Sequence, residues 1–148
     1  MRIAVIAPPY PLEEMPSPPL GVTYVAAAVA GAGADVRSFD YIVSGYSREK
    51  IENQLASFSP DAVGATSVTL NFYDAQKILR DVKQYNHEII TIMGGPHVSF
   101  TVEETLKHYP EIDLIVIGEG EATIAELTPV LRQKEKWREV RGIAYREG

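Results

Sequence analysis

Apolar runs of strand length recur along the chain, and between them lie longer stretches in which apolar residues return every three or four positions. Short apolar or alternating runs suit strands, and a 3.6-residue period suits helices packed on one face. Five core strands are predicted: Arg2 to Ala7, Asp35 to Asp40, Ala62 to Ser67, Ile89 to Gly94, and Asp113 to Gly118. A sixth run, Val140 to Arg146, alternates Val140, Gly142 and Ala144 against Arg141, Ile143 and Tyr145, as an edge strand would.

The intervening stretches carry helix marks. From Gly21 to about Gly31 the chain is rich in alanine, with Val22, Val25 and Val29 on one face and Gly31 and Gly33 as terminators. Ser47 is placed to cap a second helix that buries Ile51, Leu55 and Phe58. A third, Asn71 to Tyr85, aligns Phe72, Ala75, Leu79 and Val82. Thr101 with Glu104, and Thr123 with Glu126, have capping-box spacing and predict two more helix starts. Pro129 lies inside the last helical pattern, so that helix should be short or kinked.

Strands and helices alternating at these lengths, joined by right-handed crossovers, predict an α/β, doubly wound, flavodoxin-like fold. Its five-stranded parallel sheet has the order 2-1-3-4-5, with the run near 140–146 as an extra edge strand. The length fits one domain over residues 1–148. In such folds a ligand crevice opens at the carboxyl ends of the strands where the order reverses, here beside strands one and three.

Composition narrows the chemistry. The chain is 45% hydrophobic and 23% charged, as ordinary globular proteins are. No apolar run approaches the roughly 18 residues of a membrane span. The amino end reads directly as a strand without the apolar core of a signal peptide, so a cytoplasmic location without a membrane partner is expected. A formal charge of −6 disfavours a nucleic-acid partner. Cysteine is absent, which excludes disulfides, thiolate zinc sites, cysteine nucleophiles and an iron–sulfur cluster held by this chain's own thiolates.

Four unusual loops converge on the predicted crevice. The first begins Ala7-Pro8-Pro9-Tyr10-Pro11 and reaches Pro18-Pro19-Leu20-Gly21, and the second is Thr66-Ser67-Val68-Thr69-Leu70-Asn71. The others are Gly94-Gly95-Pro96-His97 and Gly118-Glu119-Gly120-Glu121. Glycines at strand tips give tight turns, or let a ligand approach the backbone closely. Two such pairs beside a hydroxyl-bearing loop favour a large, flat ligand. Enlarging Gly95 or Gly120 is then expected to block the cofactor while leaving the fold intact. A phosphate-receiving regulator would need acidic residues after strand one and an aspartate after strand three, where Pro8, Pro9 and Ser67 stand. The dinucleotide fingerprint belongs after strand one, yet Gly118 and Gly120 follow strand five. Flavin mononucleotide would want a hydroxyl-rich loop where the prolines are.

The ordered series of motifs resembles the amino-terminal cobalamin-binding domain of cobalamin-dependent radical S-adenosylmethionine enzymes. It comprises Ala7-Pro8-Pro9, Pro19-Leu20-Gly21-Val22-Thr23-Tyr24-Val25-Ala26-Ala27, Phe39-Asp40, Pro60-Asp61-Ala62-Val63-Gly64 and Thr66-Ser67, then Gly94-Gly95-Pro96-His97, Asp113, Gly118-Glu119-Gly120-Glu121 and Gly142-Ile143-Ala144-Tyr145-Arg146. The resemblance spans essentially the whole chain. It implies a cobalamin cofactor and a parent enzyme that carries out methyl transfer or radical rearrangement. It further implies a carboxyl-terminal radical SAM domain of the same parent chain as partner, holding a [4Fe-4S] cluster and S-adenosylmethionine, so this chain is expected to be an amino-terminal piece.

The implied contacts are Pro9 and Tyr10 from the first loop. Ser67 and Thr69 would bond the nucleotide tail or corrin amides, and Val68 and Leu70 would meet the ring. Gly94, Gly95, Gly118 and Gly120 would line the tail pocket, with Pro96, His97 and Glu119 beside them. No catalytic residue and no metal ligand is assigned. Some cobalamin-binding folds carry a histidine in the loop after strand one to replace the cofactor's own base beneath cobalt. Nothing from Pro8 to Gly21 is a histidine, so bound cobalamin is expected base-off without an imidazole from that loop. His97 is read as a rim residue, and His87 and His108 as surface residues. The alternative, from a different class, is a domain that keeps the fold, binds no cofactor and serves as an interaction or scaffolding module.

Overall fold

A computed structural model describes residues 1–10 and 20–147. Six strands form one sheet: β1 (Arg2–Ala7), β2 (Asp35–Asp40), β3 (Ala62–Thr66), β4 (Ile90–Gly94), β5 (Leu114–Val116) and β6 (Ile143–Tyr145). Their order is β2-β1-β3-β4-β5-β6. The first five run parallel in the predicted order, and β6 lies antiparallel on the outside of β5. Right-handed crossovers and short connections leave little alternative to this order.

The fifth and sixth strands are shorter than their apolar runs. Asp113 leaves the predicted strand because its carboxylate accepts from the Thr91 amide at 2.9 Å and from the Thr91 hydroxyl at 3.1 Å. Gly118 turns away with φ +72°. Before β6, a 3-10 segment (Lys134–Glu139) buries Trp137, whose indole N–H donates to the Leu131 carbonyl at 3.0 Å. Gly142 then reverses the chain with φ +80°.

The helices are α1 (Leu20–Gly31), α2 (Tyr41–Ser44), α3 (Arg48–Phe58), α4 (Phe72–Tyr85), α5 (Pro96–Phe100), α6 (Val102–His108) and α7 (Glu121–Leu127). Ser47 caps α3 through its hydroxyl, which accepts from the Lys50 amide at 3.1 Å, and Ile51, Leu55 and Phe58 are buried as predicted. The expected face of α4 is buried as well. α2 and α5 were not anticipated. Asp40 ends β2 and at once caps α2, accepting from the Ile42 amide at 2.9 Å, while Pro96 starts α5 at a position where a missing N–H costs nothing.

Two capping expectations need correction. Thr101 does precede α6, but its hydroxyl donates back to the His97 carbonyl at 3.0 Å and pairs with Thr105, because α5 runs straight into α6. Thr123 starts nothing. α7 begins two residues earlier, with the Ile124 amide bonded to the Gly120 carbonyl at 2.7 Å, so Thr123 lies inside the first turn. Pro129 ends α7 as expected, and the chain continues as a 3-10 turn, Thr128–Val130.

The two faces of the sheet differ. On one, Ala4, Ile6, Val63, Met93 and Ile115 are sealed by α3 and α4 in a continuous buried cluster. Polar pins hold it: the Tyr46 hydroxyl donates to Asp81 at 2.5 Å, and Lys77 reaches the same carboxylate at 3.1 Å. On the other, Ile3, Val5, Ile92, Leu114 and Val116 lie under α1 and α7. Among the described residues no helix is long and apolar enough to cross a membrane.

Candidate functional site

A cleft of about 470 Å³ opens between α1 and α7 at the carboxyl ends of the strands and descends onto the second face of the sheet. Strand register orders its floor. Val5, Gly64 and Ile92 lie abreast in one row, and Thr66 and Gly94 pair in the row above. Side chains alternate across a sheet, so Gly64 points the void left by its missing side chain into the cleft between Val5 and Ile92. Ile3 lies deeper still, and Val22, Val25 and Val29 of α1 face Val116 and Ile124 across the opening. From the Ile3 level to the strand tips the descent is about 13 Å at the usual strand rise.

The mouth is built by two glycine loops. Ser99 joins them: its hydroxyl donates to the Gly95 carbonyl at 3.0 Å and accepts from the Gly118 amide at 2.9 Å. Of the residues expected at the site, Gly94, Gly95, Pro96, Gly118, Glu119 and Gly120 line the cleft. Phe100 stands at the mouth 91% exposed, an unusual position for a large apolar ring.

Gly95 lines the cleft but is glycine for another reason. It has φ +103°, and a Cβ there would fall on the Ser67 carbonyl and within 2.8 Å of the Ser67 nitrogen and the Thr66 hydroxyl. Enlarging it would therefore disturb the fold, contrary to the expectation for that position. Gly120 is different: a Cβ would meet only Val116, at 3.1 Å.

The remaining predicted residues lie elsewhere. Ser67 is buried, its hydroxyl 3.6 Å from the Met93 sulfur, and so it does not reach the cleft. Thr66 faces the cleft, and the pleat sends the next side chain to the opposite side. Val68 and Leu70 are exposed on the rim, where the Asn71 side chain holds the Val68 amide at 2.9 Å. Pro9 is half-buried and Tyr10 exposed at the end of β1, while the rest of the proline-rich loop, Pro11 to Pro19, lies outside the described residues.

Thr69 and His97 line a second hollow, of about 520 Å³, on the opposite side of the β4 tip. The His97 Nδ1 is 3.2 Å from the Thr69 hydroxyl, and its ring packs on Phe72 with centroids 4.5 Å apart. Phe72, Tyr73, His108 and Tyr109 form the aromatic part of its wall beside Thr101, Glu104 and Thr105, and burial, then the neighbouring Tyr73 phenol, push the Tyr109 phenol above its ordinary range. Among the described residues no group of three or more His, Asp or Glu is placed to hold a metal ion.

Gly64, Thr66, Ser99 and Phe100 were not anticipated as site residues. Gly64 had a legible signal, since an isolated glycine within a strand often marks close approach of another group. Ser99 and Phe100 had none, because their placement depends on α5. The cleft presents aliphatic walls and glycine, with polar side chains only at Thr66, Ser99, Glu119 and Glu121 among its described lining. Such a lining suits an apolar group withdrawn from water, with its carboxylates confined to the exposed Glu119 and Glu121.

Residues 14–128 match the family described as B12 binding domain. An uncharacterised methyltransferase of Pyrococcus horikoshii is 37% identical over 130 residues, covering 88% of this chain and 28% of its own length. The anaerobic magnesium-protoporphyrin IX monomethyl ester cyclase of Rubrivivax gelatinosus is 35% identical over 132 residues, covering 86% of this chain and 24% of the cyclase. The fold matches the solved structure of OxsB, a cobalamin-dependent S-adenosylmethionine radical enzyme with aqua-cobalamin and S-adenosylmethionine bound. That match has a TM-score of 0.81 and 24% identity over 99% of this chain and 21% of OxsB. The chain thus spans about a quarter of the length of these relatives.

Proposed function

The chain belongs to the B12 binding domain family, and from that premise we propose that it binds cobalamin with the nucleotide tail drawn into the α1–α7 cleft and the corrin ring across the strand tips. The observation that carries this reading is the notch at Gly64. A glycine in mid-strand, flanked in register by Val5 and Ile92, leaves an apolar recess suited to a heteroaromatic base.

The chain's own residues then have distinct tasks. Val5, Ile92 and the α1 valines exclude water from the base. The Gly94, Gly95, Gly118 and Gly120 backbones let the tail pass close to the strand tips, and Ser99 keeps the two glycine loops at a constant separation. Val68 and Leu70 offer the ring an apolar seat on the rim, with Pro9 and Tyr10 at the neighbouring tip. Ser67 is turned inward, which leaves Thr69, whose hydroxyl also meets His97 Nδ1, as the loop hydroxyl for the corrin amides. Cobalamin when bound supplies a cobalt centre for methyl transfer or radical chemistry, and the protein's part is orientation and shielding.

With its tail in the cleft, the cofactor would be base-off. No histidine precedes α1 to occupy the vacated position, and His97 is engaged with Thr69 and Phe72 in the second hollow. We further propose that the chain is the amino-terminal domain of a longer enzyme. A radical SAM domain in the same parent, with its [4Fe-4S] cluster and S-adenosylmethionine, would complete the site from above; the chain's share of its relatives supports this.

Titration with hydroxocobalamin, followed by visible absorption and equilibrium dialysis, tests the reading. Saturable one-to-one binding with a shift of the visible bands is expected. Free passage of the cofactor, with no spectral change, would overturn it in favour of a scaffolding module.

A further inference from the structure

We infer that the cleft selects among cobamides by the base on their tail, accepting a methylated benzimidazole and discriminating against a purine. The inference rests on the proposal that the tail occupies this cleft. It follows from where polar groups stand along the descent. Among the described residues, the strand lining at and below the Gly64 row is Ile3, Val5 and Ile92, joined by Val29 and Ile124 from the helices, and none of these carries a side-chain donor or acceptor. The backbone amides and carbonyls of β1, β3 and β4 there are engaged in the parallel ladder. Thr66 stands one row higher, and Glu119 on the loop and Glu121 at the start of α7 are exposed. Ser99 already uses its hydroxyl as donor and acceptor in joining the two glycine loops.

A tail base is attached to its ribose through the five-membered ring, so the six-membered ring leads into the recess. In dimethylbenzimidazole that leading edge is carbon with two methyl groups, which the valine and isoleucine walls match. In adenine the leading edge carries ring nitrogens and an exocyclic amine, which would lose their water with nothing to replace it. The two bases have similar size, so shape does little to separate them; unmatched polar groups do. Gly64 is the residue that makes the recess deep enough for this contest to occur.

The test is equilibrium binding of three probes to the whole chain: cobalamin, adeninylcobamide, and cobinamide, which lacks the nucleotide. Cobalamin should bind tightest, with adeninylcobamide at least about tenfold weaker, the penalty of one or more buried unpaired groups. Equal binding of cobalamin and adeninylcobamide, both tighter than cobinamide, would overturn the selectivity and leave the cobalamin reading standing. Equal binding of all three would place the tail outside the cleft and overturn both, as would failure of all three to bind.

Gly64→Val locates the effect. A Cβ at Gly64 meets nothing closer than 3.9 Å, so the fold should tolerate the change, checked by circular dichroism and thermal melting. Cobalamin affinity should fall to the cobinamide level and the preference over adeninylcobamide should vanish. A preference that survives in the folded variant would overturn the assignment to this recess.

Discussion

The two faces of the sheet use the same strands for opposite ends. One face is finished: Ile6, Val63, Met93 and Ile115 meet α3 and α4 in a buried cluster pinned by Tyr46 and Asp81. The other is left open at its carboxyl end, where Gly64 and Gly94 replace the side chains that would close the layer under α1 and α7. A cleft can remain open in so small a domain because the opposite face supplies the cohesion. Stability and ligand binding should therefore respond to substitutions on different sides of the same sheet.

The largest effect should come from the finished face. Leu79 is fully buried within α4, and Leu79→Ala should lower unfolding stability by about 2–5 kcal/mol in urea titration while leaving the cofactor affinity of the folded protein unchanged. A matching loss of affinity would show that the faces are not independent. Next is Gly95→Ala, which sits on the cleft but should behave as a core substitution. Its positive φ and the crowding against Ser67 should cost about 3 kcal/mol. A stable Gly95→Ala protein with lost binding would instead place its role in ligand access.

A smaller effect is expected at the polar pins. Burial, then the hydrogen bond to Asp81, raises the Tyr46 phenol above its ordinary value near 10. The folded state therefore holds this proton more tightly than the unfolded chain. The resulting stability is present below about pH 10 and is lost as pH rises beyond it. Tyr46→Phe should cost about 1–2 kcal/mol at neutral pH and reduce the alkaline loss. An undiminished alkaline slope in that variant would assign the effect to other groups, Tyr41 first, since burial raises its phenol too. The smallest effect is at His97. Its ring is held in the second hollow, so paramagnetic resonance of reduced, cobalamin-loaded protein should lack nitrogen splitting on the Co(II) signal, and His97→Ala should change nothing. Splitting that disappears in the variant would make His97 the lower ligand and join the two hollows into one site.

The clearest elements in the sequence were those whose signal is local. Ser47 ahead of Ile51, Leu55 and Phe58 predicted the start and buried face of α3, and the Phe72-Ala75-Leu79-Val82 stripe predicted α4 to within a residue, because a cap and a 3.6-residue stripe depend only on neighbours along the chain. Thr123 misled because capping-box spacing says nothing about which carbonyl starts the helix, and here it is that of Gly120. The glycine loops were legible as candidates, and six of their positions line the cleft. Ser67 was not distinguished from Thr66, since a shift of one residue exchanges the faces of a strand and only the register shows which face is open.

The order and periodicity of the chain determined the strands, the parallel sheet, its 2-1-3-4-5 order and the end at which a ligand would sit, all consequences of local patterning and crossover handedness. Which face carries the cleft, that Gly95 serves the Ser67 backbone while Gly64 opens the recess, and that His97 turns toward Thr69 were decided only by tertiary structure. Each of these depends on what a side chain meets across the sheet, from residues some thirty positions away along the chain, and no local pattern records that distance.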